Sequence, residues 1–414
     1  PEPTVRLALL LRINSLARGH SGVRVELAEL LVQMLNKGVT PWVPSKGSVG
    51  ASGDLAPLSH MALVAMGEGR AYLDGKLMSG ADAMQRAGLK PLSFLAKEGL
   101  ALVNGTQIIQ AVGLTALIEA TKLAKLCDLA AAMSLEGLRG TDKPFDARIA
   151  ALRPHPGHAL VAGNMRRLLA DSQIRESHRY NDPRVQDPYS LRCVPQVHGA
   201  VRDTLAYVSC MFERELNAVT DNPLLFPDDG ESISGGNFHG QPVSIAADVL
   251  AIAVSELGAI SERRIEQMVN PDLSGLPPFL VSDSGVNSGM MIAQVTAAAL
   301  ASENKILAHP ASVDSIPTSA NKEDHVSMGV TAALKAVEVV RNVRRIVEIE
   351  LLCARYALEF HRPLRPGALV QEAFAVLEQA IAPLKRDRVT YEDFETMQGL
   401  VDGGALDPVL VRLQ

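Results

Sequence analysis

Residues 330–362 contain neither proline nor glycine, and apolar side chains recur along them at steps of three and four: Ala336, Val340, Val343, Val347, Leu351 and Ala354. That spacing is one apolar stripe along a very long α-helix, with Glu338, Arg341, Arg345 and Glu348 off the stripe. Pro363 and Pro366 end it. A helix this long needs long partners to bury its stripe, which narrows the fold to a few helical architectures. Residues 241–269 read as a second long helix, apolar nearly all round at its centre and therefore buried. Residues 196–218 and 289–308 read as a third and fourth, and Val5, Leu9, Ile13 and Leu16 start a periodic stretch at the beginning of the chain. Many interior positions are alanine, which favours helix and lets helices approach closely. With only 4% aromatic residues, the core is one of thin aliphatic side chains. The reading is mostly α, a long-helix bundle. It forms one large helical domain over 1–414, with loops and central helices in 1–362 and a C-terminal helical segment in 363–414.

Composition removes several function classes. With 47% hydrophobic and 21% charged residues, the 414-residue chain has the make-up of a soluble globular protein. A net charge of −6 leaves no electrostatic footprint for nucleic acid or an anionic membrane. Cys127, Cys193, Cys210 and Cys353 form no CxxC pair, which argues against a disulfide scaffold or zinc ribbon and suits a reducing cytosol. No uninterrupted apolar run approaches membrane-spanning length, and no signal peptide opens the chain. The abrupt start at Pro1 inside a helical pattern raises the expectation that an N-terminal part is missing.

Gly/Pro/Asn-rich loops at 41–57, 140–158, 180–195, 219–240 and 309–326 are too elaborate for simple connectors, and function concentrates in such loops. Gly47-Ser48-Val49-Gly50-Ala51-Ser52-Gly53-Asp54 is the most unusual. It is no Walker loop, since no Gly-Lys-Ser/Thr follows, and its glycine spacing does not fit a dinucleotide fingerprint. It is no nucleophile elbow, because Asp54 stands where the last glycine belongs. Two readings remain. One is a tight turn with Asp54 as N-cap of a helix from about Leu55. The other is covalent: in a tightly bent loop the unhindered Gly53 nitrogen attacks the Ala51 carbonyl. Loss of water from the ring and from Ser52 then leaves a conjugated exocyclic methylene.

The stretch GSVGASGDLAPLSHMAL resembles the prosthetic-group segment of the aromatic amino acid lyases, whose Ala-Ser-Gly triad cyclises by itself to a methylideneimidazolone. The resemblance continues in order through Asn104-Gly105-Thr106-Gln107, Gln186-Asp187-Pro188-Tyr189-Ser190-Leu191-Arg192, Gly235-Gly236-Asn237-Phe238-His239-Gly240 and Thr318-Ser319-Ala320-Asn321-Lys322-Glu323-Asp324-His325. It covers essentially the whole chain. It implies the family's helical fold, homotetramers with active sites built from three subunits, and a cofactor formed from Ala51, Ser52 and Gly53 without metal or nucleotide.

Taken alone, Asn104 fits an N-cap, Arg192 a surface charge, Tyr189 a partly buried aromatic and Phe238 core. The resemblance instead places Asn104 against the substrate carboxylate and the prosthetic group, and makes Arg192 a bidentate clamp on the α-carboxylate. It puts Tyr189 in the active site, where its phenol donates to the prosthetic group or takes part in proton transfer, with Gln186 in the same polar network and Phe238 beside the ring. Glu323, with Asp324 and His325, fits a solvated charge run or a helix cap by default. In the family's histidine-specific branch a carboxylate here faces the imidazole, whereas the phenylalanine and tyrosine branches usually carry an amide. Lys322 departs from the glutamine usual in the histidine branch.

The expected activity is therefore deamination of L-histidine to trans-urocanate and ammonia, with either the amine or the side chain engaging the methylene. The family's tyrosine base and a substrate-side histidine lie N-terminal to anything present, so turnover by this chain alone is expected to be impaired. The rivals are a phenylalanine or tyrosine lyase or aminomutase, a fumarase-type lyase faintly echoed in Ser284-Gly285-Val286-Asn287-Ser288-Gly289, and a decayed assembly protein. His155-Pro156-Gly157-His158 looks like a metal pair, but Pro and Gly are expected to prevent the helix that would align it. His60 and His198 read as loop or core histidines.

Overall fold

The structure is a computed structural model that describes residues 1–51 and 53–414. It divides into two compact units, each drawn from three stretches of chain: Pro1–Ile118, Tyr207–Ala251 and His309–Val337 in the first, Glu119–Ala206, Ile252–Ala308 and Glu338–Gln414 in the second. Most of these boundaries fall inside long helices, which run Gln107–Gly137, Val194–Leu216, Gln241–Val269 and Gly329–Glu359.

The apolar stripe is buried as its period requires: Ala336, Val340, Val343, Val347, Leu351 and Ala354 are each 5% exposed or less. Beyond residue 345 the same helix is buried on every side through Leu358, so it lies in the middle of the second unit. It ends at Glu359, a turn before the prolines. Close helix approach is visible at Gly137, where an added Cβ would sit 2.8 Å from the Cβ of Ala357. At Gly258 it would meet Val343 at 2.9 Å.

Helix Gln241–Val269 has the bounds read from its sequence and is the one described helix long and apolar enough to cross a membrane. About two thirds of its most apolar window is buried within the protein, at 67%. The all-round burial expected of its centre is incomplete, because Ile245 and Ile252 face outward. The helices expected at 196–218 and 289–308 are Val194–Leu216 and Met291–Leu307. The C-terminal segment folds as helices Ala368–Ala380, Tyr391–Asp402 and Asp407–Leu410.

The first unit also holds strands that helical periodicity does not reveal. Thr40–Pro41, Arg70–Leu73 and Lys76–Ser79 form an antiparallel sheet in that order, with Leu73 opposite Lys76. The two-residue connection is Asp74-Gly75, at φ 51° and 71°. Positive φ at both positions is the turn that matches strand twist, and Asp-Gly is its usual sequence.

Candidate active site

Residue 52 lies outside the described residues, but the chain on both sides of it is firmly held. Upstream, the Met328 amide donates to the Val49 carbonyl at 2.8 Å, and the Ser327 hydroxyl donates to the Gly50 carbonyl at 3.1 Å. Gly50 sits at φ 68°, and an added Cβ would lie 2.2 Å from Ser327 Oγ. Downstream, Gly53 at φ 74° bridges Gly105, and an added Cβ would lie 2.1 Å from the Gly105 carbonyl oxygen. Glycine is thus required on both flanks, by backbone sign and by space. Ala51 is buried against Val326 and Met328, with Val49 and Ala311 beside them.

Asp54 precedes helix Leu55–Ala65 but makes no side-chain cap to it. Its Oδ2 instead accepts from the amides of Ile108 and Ile109 at 2.8 and 2.9 Å, so it caps helix Gln107–Gly137. Asp54 thus holds the N-cap position of Leu55–Ala65, as expected, while its side chain serves the other helix. Burial drives the Asp54 carboxyl up to about 7, against the opposing pull of those two amides and the Arg12 charge. Arg12 is itself fully buried, which lowers it to about 10. Its guanidinium donates to the carbonyls of Ala101 (3.1 Å) and Asn104 (2.8 Å) and to the Gln107 side chain. Sequence reasoning passed over Arg12. The available signal was an arginine between Leu11 and Ile13 on an apolar helical stretch.

Asn104 is buried and is the C-cap residue of helix Glu98–Val103, not an N-cap. Its Nδ2 donates to the Asn222 carbonyl at 3.1 Å. Its Oδ1 is buried with no hydrogen-bond partner among the described residues. An unmatched buried acceptor is costly, and it marks a place where a ligand donor would be welcome.

Two further segments join this cluster. Gly240 packs against Ile109, Ser327 and Thr106, and His239 Nε2 lies 3.1 Å from the His325 carbonyl oxygen, with the two imidazoles stacked. Phe238, half-buried, sits in the turn just before. Glu323 is also half-buried, whereas Lys322, Asp324 and His325 around it are exposed. Its Oε2 accepts from Thr318 Oγ1 at 2.8 Å and Ser319 Oγ at 2.7 Å. The charge run is solvated as expected except at this one position. The first unit therefore gathers Ala51, Gly53, Asn104, Phe238 and Glu323 on segments in mutual contact.

Gln186, Tyr189 and Arg192 belong to the second unit. Gln186 and Tyr189 are exposed, Tyr189 at 70%. The Arg192 guanidinium carbon stands 4.5 Å from the centre of the Tyr189 ring, a cation–π pair on the single helical turn Tyr189–Arg192. Asp187 beneath them is buried and accepts from the Thr141 amide at 2.6 Å, pinning the loop. His155 and His158 have ring centres 4.7 Å apart. Pro156 and Gly157 do not prevent a helix there. They open helix Pro156–Leu168, with proline at a position where its missing N–H costs nothing. Among the described residues, no group of three or more His, Cys, Asp or Glu side chains could hold a metal ion.

The family model for aromatic amino acid lyases matches residues 1–379. The chain is 57% identical over 415 residues to a histidine ammonia-lyase of Anaeromyxobacter sp. (strain K), covering 98% of this chain and 82% of the relative. It is 57% identical over 402 residues to that of Symbiobacterium thermophilum, covering 97% and 79%. Its fold matches the crystal structure of histidine ammonia-lyase from Trypanosoma cruzi with a TM-score of 0.93 at 45% identity, over 100% of this chain and 78% of that one. It matches tyrosine aminomutase from Streptomyces globisporus with a TM-score of 0.91 at 36% identity, over 99% and 81%. Sequence motifs, helical architecture and relatives agree, and the chain belongs to the aromatic amino acid lyase family.

Proposed function

We propose that this chain is the body of a histidine ammonia-lyase, a carbon–nitrogen lyase converting L-histidine to trans-urocanate and ammonia. The observation that carries the substrate assignment is Glu323. It is the one half-buried carboxylate in an exposed charge run, oriented by two hydroxyl donors. An imidazole N–H rewards such an acceptor, whereas a phenyl ring does not. The naming of relatives at 57% identity supports the same choice.

The residues around position 52 fit a ring closed from Ala51, Ser52 and Gly53. Gly53 offers an amide with no side chain in its way, the left-handed glycines on both flanks bend the segment, and the unmatched Asn104 Oδ1 stands on the adjoining chain. Once formed, the group supplies an electrophilic methylene. The remaining work falls to side chains. Arg192 clamps the α-carboxylate, and Asn104 binds beside it. Tyr189 handles a proton, Gln186 extends its polar network, Phe238 packs beside the ring, and Glu323 accepts from the imidazole. The exposure of Gln186 and Tyr189 suits a homo-oligomer, a tetramer in which neighbouring copies complete each site, and the four unpaired cysteines suit a cytoplasmic location.

Intact mass tests the ring. Loss of two waters lowers the mass by about 36 Da, and Ser52→Ala should restore the full translated mass with the helical fold intact. An unmodified mass in the parent refutes the cofactor, and release of urocanate from L-histidine tests the substrate.

A further inference from the structure

We infer that Arg264 and Glu350, buried beneath the helical turn Tyr189–Arg192, form a positioning pair that sets the placement of Tyr189 and Arg192. Both are 0% exposed. Glu350 lies on helix Gly329–Glu359 and Arg264 on helix Gln241–Val269. The carboxylate takes Arg264 Nε at 2.5 Å and Nη2 at 2.8 Å, a two-pronged pair. Ser134 Oγ on helix Gln107–Gly137 and Ser261 Oγ each donate to it at 2.6 Å. Each carboxylate oxygen therefore accepts twice, and three long helices meet on one buried charge.

This arrangement occupies Arg264 Nε and Nη2 and leaves Nη1 to reach out of the pair. Nη1 donates to the Ser190 carbonyl at 3.3 Å. Ser190 lies between Tyr189 and Arg192 in a helix only four residues long. So short a helix has little ladder of its own: the Arg192 amide donates to the Pro188 carbonyl and the Cys193 amide to the Tyr189 carbonyl before helix Val194–Leu216 begins. A guanidinium locked at its other end is a rigid post for that carbonyl. The cation–π pair of Tyr189 and Arg192 rides on the turn, so a shift of the post moves both side chains together. A lysine at 264 keeps the charge opposite Glu350 but cannot reach both partners in this fork.

The inference rests on the assignment of Tyr189 and Arg192 to the active site, and the test separates the two. Hydrogen exchange over residues 189–193, where the Leu191, Arg192 and Cys193 amides donate within the turn, reads the order of the turn without substrate. In the parent these amides should be protected, and in Arg264→Lys they should exchange at least roughly ten-fold faster. Ser261→Ala, which loosens Glu350 but keeps Arg264, should give a smaller rise in the same peptide and serves if Arg264→Lys does not fold. Arg355→Lys is the control. Arg355 is equally buried but binds Glu359 and the Ile381 carbonyl, away from the turn. For Arg264→Lys, KM for L-histidine should rise and kcat fall, together lowering kcat/KM roughly 10- to 100-fold, the scale of a misplacement near 1 Å. Arg355→Lys should keep both constants at a comparable loss of thermal stability. Binding of 3-(imidazol-4-yl)propionate, which carries the carboxylate but no amine, should weaken only in Arg264→Lys. Rapid exchange at 189–193 in the parent, unchanged exchange in a folded Arg264→Lys, or an equal kinetic loss in Arg355→Lys overturns the inference. A parent that lacks the ring mass overturns the proposed function instead, while the exchange result still decides the role of Arg264.

Discussion

Replacing Gly53 by alanine confronts the chain with two separable costs. The backbone at Gly53 has φ 74°, where an L-residue costs about 1–2 kcal/mol. The new methyl would lie 2.1 Å from the Gly105 carbonyl oxygen, with the Gly105 carbon at 2.5 Å. These are backbone atoms, so relief requires the two segments to part by about 1 Å, an overpacking cost of about 1–3 kcal/mol. Parting them also weakens the Asp54 amide's 2.7 Å bond to the same oxygen, about 1 kcal/mol more. The total is about 3–6 kcal/mol, which for a chain of this size lowers Tm by roughly 3–7 °C. Gly47→Ala is the matched control. It lies in the same loop at φ 128°, but a Cβ there meets nothing within 4 Å, so only the backbone cost applies. Thermal unfolding of the two variants side by side, with intact mass of each, makes the comparison. Gly47→Ala should lose no more than a few degrees and keep the mass about 36 Da below translation, as the ring chemistry requires. Gly53→Ala should lose several degrees more and carry the full mass. Equal melting temperatures, or a cyclised Gly53→Ala, would refute the steric reasoning.

Three further outcomes are expected. Glu323→Gln keeps an acceptor oxygen and loses the charge, and Glu323→Ala loses both. Leaving an imidazole N–H unpaired costs roughly 1–3 kcal/mol, so kcat/KM for histidine should fall by about ten-fold in the first and more in the second, with any phenylalanine activity gaining relative to it. Parental histidine deamination in both would make Glu323 purely structural. Asp54 has its carboxyl raised to about 7, so between about pH 4 and 7 the folded state holds a proton that the unfolded state has released. Its contribution to stability therefore falls as pH rises through that window. Asp54→Asn, which still accepts from Ile108 and Ile109, should flatten the fall, and an unchanged slope of Tm against pH counts against it. Arg192→Lys keeps the charge but loses the fork, so KM for histidine should rise roughly ten-fold with the ring mass unchanged; an unaltered KM would remove Arg192 from the carboxylate site.

Local periodicity carried most of what was legible in the sequence. The stripe from Ala336 to Ala354 foretold a buried helix face, and the apolar run from 241 to 269 gave the helix bounds directly. Both depend on side chains a few residues apart, where the helical repeat alone decides which face is shared. Ordered short motifs carried the family and the candidate residues. Helix Gln107–Gly137 went unread because Gly113, Thr115 and Thr121 blur its period, and burial rather than propensity sustains it. The hairpin at 70–79 was too short for alternation to register, although Asp74-Gly75 marked its turn.

Pairings between distant positions were decided only by the tertiary structure. Asp54 could be read as a cap, but its cap lies across 54 residues of sequence at Ile108. Glu323 looked like one charge among several until the turn at 318–323 folded its carboxylate back onto two hydroxyls. Arg264 and Glu350, 86 residues apart on two long helices, meet as a fully buried pair. A charge in a sequence carries no record of its partner. Whether it is solvated, capping a helix or locked in the core depends on what the folded chain brings within hydrogen-bonding distance, because burying a charge without a partner costs more than a marginally stable fold can sustain.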